Sequence, residues 1–172
     1  VLSPATGTAI ADDGFTLQLK AHPEGQGGAV LKPGQKFNHF KTQISFPTER
    51  FKFVSATGLF STDWEGACTH NAGVITCEYS NPSTDLSTYL PSAEHHLFDI
   101  SFEALAIDAS TDTMSGTIAI TEFSSVYDEG YGPAIIISKE NSVIDVLCTP
   151  TPYYLDADGD GFAGNEEGSY CL

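Results

Sequence analysis

Phe40-Lys41-Thr42-Gln43-Ile44-Ser45-Phe46 puts Phe40, Thr42, Ile44 and Phe46 at every second position, with Lys41, Gln43 and Ser45 between them. A period of two sends successive side chains to opposite faces of an extended chain, so the stretch reads as a strand with one buried face. Phe15, Leu17 and Leu19 alternate with Thr16, Gln18 and Lys20 in the same way. Further strands are expected over 51–56, 73–79, 97–106, 113–121, 134–138 and 142–147. Turn sequences divide them: Asp12-Asp13-Gly14, Lys32-Pro33-Gly34, Asn71-Ala72-Gly73, Asn81-Pro82 and Asp128-Glu129-Gly130. Helical periodicity is scarce. Many short strands with Gly and Pro punctuation specify an all-β, antiparallel β-sandwich, with a closed barrel as the alternative.

Around these strands the composition narrows the function. The chain has 172 residues, of which 23 are Asp or Glu and 7 are Lys or Arg, for a formal net charge of −16. Binding to nucleic acid works by neutralising phosphates with cations, and no cluster of cations is present, so that class is excluded. An anionic membrane surface is disfavoured by the same charge. The longest apolar run, Ala134 to Ile137, is far too short for membrane insertion. Hydrophobic residues at 41% and aromatics at 11% suffice for a core, which argues against disorder. Residues 1–147 are read as the sandwich domain. Its first segment, Val1 to Ile10, is expected to be an edge strand of its own sheet or a strand donated to a neighbouring subunit. After Leu147 the composition shifts: Cys148-Thr149-Pro150-Thr151-Pro152 reads as a stiff connector to carboxylates and glycines with little to bury.

The four cysteines allow three pairings, and the two sequence-local bridges, Cys68 with Cys77 and Cys148 with Cys171, are expected because each closes a short turn-containing segment. Disulfides imply an oxidising compartment and hence an extracellular or cell-surface protein. Val1 to Ile10 lacks a basic start and a long apolar stretch, so the chain is read as the mature form of an exported protein.

Residues 156–167 carry the strongest motif. Asp156, Asp158 and Asp160 stand at positions 1, 3 and 5 of a twelve-residue loop, Gly161 at position 6 and Glu167 at position 12. This is the calcium-loop pattern, in which alternate residues of a coiled backbone aim carboxylates at one centre. Calcium is therefore the expected cofactor, with Asp156, Asp158, Asp160 and Glu167 ligating through side chains and Phe162 through its carbonyl. Pro150 and Pro152 precede the loop, and Gly168 and Cys171 follow it. The helices that let an EF-hand transmit a signal are missing, which points to a structural site.

The segment Cys148 to Leu172, through Tyr153-Tyr154-Leu155-Asp156-Ala157-Asp158-Gly159-Asp160-Gly161-Phe162, resembles the short calcium repeats of thrombospondin type 3 kind in bacterial secreted proteins. That resemblance implies calcium held by aspartates beside a disulfide. The body is similar to two families of extracellular β-sandwich. Phe53 to Gly58 with Trp64, Cys68 and Gly73 to Cys77 resembles the immunoglobulin-like repeats of bacterial surface proteins. The order from Phe40 through Phe53-Val54 to Leu97 and Leu105 resembles the jelly-roll cohesins that bind dockerins. Both imply a sandwich without catalytic activity.

No nucleophile elbow, phosphate loop or dinucleotide fingerprint occurs, and the chain is read as not an enzyme. Cys68, His70 and Cys77 are also the residue types of a zinc site, though a disulfide accounts for the cysteines more simply. Trp64, or Tyr127 with Tyr131, is a candidate aromatic platform for a glycan, with Trp64 as a core residue on the Cys68 bridge as the competing reading. The expected function is a calcium-stabilised structural or adhesive subunit, a homo-oligomer polymerising into a surface filament by strand exchange. The alternative is a carbohydrate-binding or cohesin-like recognition module of a secreted assembly.

Overall fold

The computed structural model describes residues 1–21, 36–59, 61–85, 90–91, 95–105, 113–127, 139–148, 150–154 and 166–171. Thirteen strands and no helix occur among them: β1 Leu2–Ser3, β2 Thr6–Ile10, β3 Gly14–Ala21, β4 Lys36–Ser45, β5 Phe51–Gly58, β6 Glu65–Asn71, β7 Val74–Ser80, β8 Leu90–Pro91, β9 His95–Ala104, β10 Thr113–Tyr127, β11 Ser142–Leu147, β12 Pro150–Tyr154 and β13 Glu166–Cys171. Strands β1-β3-β9-β5 form one sheet. A wider one runs β2-β11-β10-β4-β7-β6, with β8 paired to the start of β4, and β12 and β13 make a separate hairpin. The expected sandwich is thus realised, with one departure from an antiparallel scheme: β2 runs parallel to β11.

The alternation that defined β4 does what its period demands. Phe40, Thr42 and Ile44 are fully buried, while His39, Lys41 and Gln43 face outward and are half-buried. The inner faces meet through aromatic rings in two groups. Phe40 of β4 has Trp64, Tyr79, Phe98 and Phe123 with ring centroids 5.8, 5.9, 5.8 and 6.0 Å away. Phe102 of β9 has Phe15, Phe46, Phe51 and Phe53 at 5.5, 5.2, 6.3 and 6.2 Å. Each fully buried ring contributes about 1.5–3 kcal/mol of transfer free energy. Gly116 of β10 leaves the room that the Phe51 ring fills, since a Cβ there would lie 2.4 Å from Cε2 of that ring.

The first ten residues serve both sheets of their own chain. Leu2 and Ser3 pair with Leu19 and Gln18 at the edge of the narrower sheet, and Thr6 to Ile10 pair with Val143 to Leu147 at the edge of the wider one. Pro4, which has no N–H to give, stands between the two pairings after a cis peptide bond. In this single chain the segment lies along the edges of both sheets.

Differences from the sequence expectation have local causes. Strand β10 runs to Tyr127, past the expected Thr121, through a register shift at Thr121 in its pairing with β4. The connector after Leu147 is partly a strand, β12, because β13 returns to pair with it. Strand β6 has no apolar alternation at all and was not expected. The proposed strand 134–138 lies outside the described residues.

The β6–β7 hairpin closes in a two-residue turn with Ala72 at φ 46° and Gly73 at φ 78°, flanked by the pair Asn71 and Val74. Two positive φ angles define a type I′ turn, which matches strand twist and favours Asn-Gly. Replacing Gly73 with Ala would place a Cβ 2.8 Å from the Phe46 carbonyl oxygen. Denaturant unfolding of Gly73→Ala is expected to show a loss of about 1–3 kcal/mol, and Ala72→Asn a gain of about 0.5–1 kcal/mol, from the strain of left-handed backbone at a non-glycine residue.

Candidate functional site

Of the residues singled out for calcium, Asp156, Asp158, Asp160 and Phe162 lie outside the described residues, and no cluster of three metal-ligating side chains occurs among the described ones. The backbone on either side is described. Strands β12 and β13 bring the two ends of the loop together, pairing Tyr154 with Glu166 and Tyr153 with Gly168. Glu167 is the extra residue at the register shift between those pairs. The flanks are therefore strands, as the prolines required, and not the helices of a signalling EF-hand.

Cys68 and Cys77 form a disulfide. They are direct cross-strand partners in the β6–β7 register, so neither thiolate is free for zinc, which corrects the zinc alternative. Cys148 is also disulfide-bonded. Cys171 ends β13 opposite Pro150, but its side chain, and with it the expected bridge to Cys148, lies outside the described residues. Trp64 is only 8% exposed and packs against Phe40, so it is a core residue and not a glycan platform. Tyr127 closes β10, its side chain and the whole of Tyr131 being outside the described residues.

Two broad sheet faces remain. On the outer face of the narrower sheet the charges are already engaged with one another: Lys52 Nζ lies 2.8 Å from Glu103 Oε2, and His96 Nε2 2.9 Å from Asp99 Oδ1. Such exposed pairs are worth about 0–1 kcal/mol each, and Thr16, Gln18, Ser55, Thr57 and Ser101 share the face with them.

The outer face of the wider sheet is built differently. Across β10, β4, β7 and β6 the register lines up Ser124, Lys41, Glu78 and Ala67 in one row, and Glu122, Gln43, Thr76 and Thr69 in the next. A third row is Ala119, Ser45, Val74 and Asn71. Hydroxyls and small residues alternate with the longer Lys41, Gln43, Glu78 and Glu122, so the surface is polar, with carboxylates spaced across it. Hydrogen bonds hold the backbone at the Thr121 register shift: Thr42 Oγ1 donates to the Glu122 carbonyl at 3.1 Å and Thr121 Oγ1 to the Gln43 carbonyl at 3.2 Å. At the far end His39 Nε2 meets Glu78 Oε1 at 3.2 Å. Beneath this face burial raises the pKa of the Tyr79 phenol, because desolvation disfavours the charged form. The arrangement offers many hydrogen-bond donors and acceptors across four aligned strands.

No protein-family model matches the sequence, and no curated protein matches it either. Solved structures do. A type I cohesin–dockerin complex from Clostridium thermocellum superposes with a TM-score of 0.62 at 10% identity, covering 83% of this chain and 90% of that one. A non-cellulosomal cohesin from the archaeon Archaeoglobus fulgidus gives 0.59 at 10% identity over 83% and 86%. A cohesin module of a Clostridium perfringens family 33 glycoside hydrolase gives 0.57 at 9% over 81% and 90%. At these identities the likeness is one of fold: the chain is a cohesin-like β-sandwich.

The disulfide pins the outermost strand of this face to its neighbour. Removing it through Cys68→Ala with Cys77→Ala frees the unfolded chain, and the chain-entropy model puts the loss at about 2–3 kcal/mol for so short a loop. Urea unfolding with and without reductant checks this: without reductant the double variant should unfold at a lower midpoint than wild type, and under reductant, which also opens the Cys148 bridge, the two should coincide.

Proposed function

We propose that the chain is a non-catalytic recognition module that binds a protein partner through the outer face of β10, β4, β7 and β6. The observation that supports it is the likeness of nearly the whole sandwich to cohesins, some of them solved in complex with dockerins. Within this chain the reading is supported by the four-strand polar plane just described, whose rows the register aligns from β10 to β6. Pairing of Val1 to Ile10 within the chain favours a module over the filament subunit. The disulfide fits an oxidising, extracellular setting.

Surface plasmon resonance against a panel of dockerin modules, with a glycan array beside it, tests this reading. Binding to at least one dockerin is expected, and Thr76→Arg and Gln43→Arg should each weaken it at least tenfold without moving the melting temperature. Glycan binding without dockerin binding would refute it.

The hairpin of β12 and β13 is proposed to hold one calcium ion in the loop it closes, as a structural site. The reading is supported by the Asp156, Asp158, Asp160 and Glu167 spacing and by a stem that joins the loop's ends. Four clustered carboxylates repel one another without a cation, so binding is coupled to ordering of the loop. Calorimetric titration should show binding that Asp158→Ala abolishes. At a calcium concentration near 100 Kd the wild type should gain about 2.7 kcal/mol, a rise of several degrees in melting temperature that chelator reverses.

A further inference from the structure

The end of the wider sheet carries a second feature, separate from its outer face. Strand β6 is outermost, and among the described residues nothing pairs with its other side. The phase of the ladder says which backbone groups it leaves open. Phe46 N–H donates to the Gly73 carbonyl at 2.9 Å and Asn81 N–H to the Asn38 carbonyl at 2.7 Å. Those bonds direct the peptide groups of Gly73, Ile75, Cys77, Tyr79 and Asn81 toward β4, so Val74, Thr76, Glu78 and Ser80 bond to β6. Their partners there are Asn71, Thr69, Ala67 and Glu65. The residues between, Gly66, Cys68 and His70, therefore turn their N–H and C=O groups away from the sheet. The 4.0 Å Cα separation of Cys68 and Cys77 agrees, because it belongs to a pair that exchanges no hydrogen bonds.

Natural edge strands are usually blunted by a bulge, a proline or a lysine. The edge strand β5 has two of these, Lys52 and a register shift that leaves Val54 56% exposed. Strand β6 has none of them: its seven residues pair without a shift, and the disulfide ties it to β7. Gly66 brings β6 so close to β7 that a Cβ would lie 2.2 Å from the Glu78 carbonyl oxygen. On the core side of this edge the exposed His70 ring stacks 5.3 Å from Phe46 and lies 5.3 Å from half-buried Phe53. On the outer side stand Glu65 and, one strand in, Glu78.

We propose that β6 is a β-augmentation site that takes an extended peptide alternating apolar and basic residues. The open groups of Gly66, Cys68 and His70 supply the ladder. Apolar guest residues continue the core side over His70 and Phe53, and basic ones continue the outer side toward Glu65 and Glu78. Charge selects this guest over a second copy of the chain, because two copies would each bring a net charge of −16 to the contact.

The probe is a short synthetic peptide alternating lysine and valine, titrated into the 15N-labelled protein. The amides of Gly66, Cys68 and His70 are expected to shift and to exchange at least tenfold more slowly. A peptide N-methylated at the residues that would bond β6, and one alternating glutamate and valine, should each bind at least tenfold more weakly. His70→Pro deletes an outward N–H without costing a bond to β7 and should also weaken binding; the N-methylated peptide decides the matter if that variant does not fold. Perturbation at Thr6, Thr8 and Ile10 instead, equal binding of the N-methylated or acidic peptide, or a dimer showing the same three shifts without peptide would overturn the proposal.

Discussion

Closure of two sheets over their aromatic rings is the contact on which the rest of the molecule depends. Phe40 and Phe102 stand in opposite sheets, and each gathers four other rings within about 6.3 Å. Edge-to-face and offset-stacked ring pairs add about 0.5–1.5 kcal/mol each beyond their area. That packing is possible only if alternate residues turn inward on every strand at once, because a one-residue slip would send the rings to solvent and the threonines to the core. The polar outer face is therefore a by-product of the same register that buries the rings. Positions 41, 43, 76 and 78 are displayed because 40, 42, 44, 75 and 77 are buried.

What was legible in the sequence follows from this. Where burial is one-sided the period of two is written in the residues, and β3, β4, β7, β9 and β11 were readable for that reason. Strand β6, Glu-Gly-Ala-Cys-Thr-His-Asn, buries little on either side and carries no such pattern. Its one signal was geometric: Cys68 and Cys77 stand at equal distances from the Ala72-Gly73 turn, as cross-strand partners must. Trp64 shows the opposite limit. A lone tryptophan near a disulfide is equally consistent with a platform and with a core residue, and only the placement of Phe40 beside it decides. The polar face proposed for recognition escaped the sequence because register, not motif, assembles it from four strands that are scattered over residues 39–124.

The acidity has different meanings in different places. In the 156–167 loop the carboxylates follow the spacing of a calcium loop, whereas on the sheet faces they are dispersed. Glu103 and Asp99 are paired with Lys52 and His96. Glu78 has His39 beside it and Lys41 across the strand, while Glu65 and Glu122 add further negative charge to the same face. A face of this sign raises the encounter rate of basic partners and repels acidic ones, including copies of itself.

Edges close the argument, because a sandwich, unlike a barrel, must end its sheets somewhere. The N-terminal segment shows how the chain handles this on one side: it splits at Pro4 and lays a short strand along each sheet, so both of those edges are made by one piece of chain. On the far side the narrower sheet ends in β5, broken by the Val54 register shift and carrying Lys52. The wider sheet ends in β6, which is covalently stapled to β7. Of the four edges β1 is two residues long and β5 carries an obstacle, whereas β2, with five residues, and β6, with seven, pair without a shift, and among the described residues nothing covers the outward groups of β6. The Cys68–Cys77 staple constrains the unfolded chain and ties β6 to β7 where an edge strand would otherwise fray first, so the outward groups of Gly66, Cys68 and His70 are kept in register.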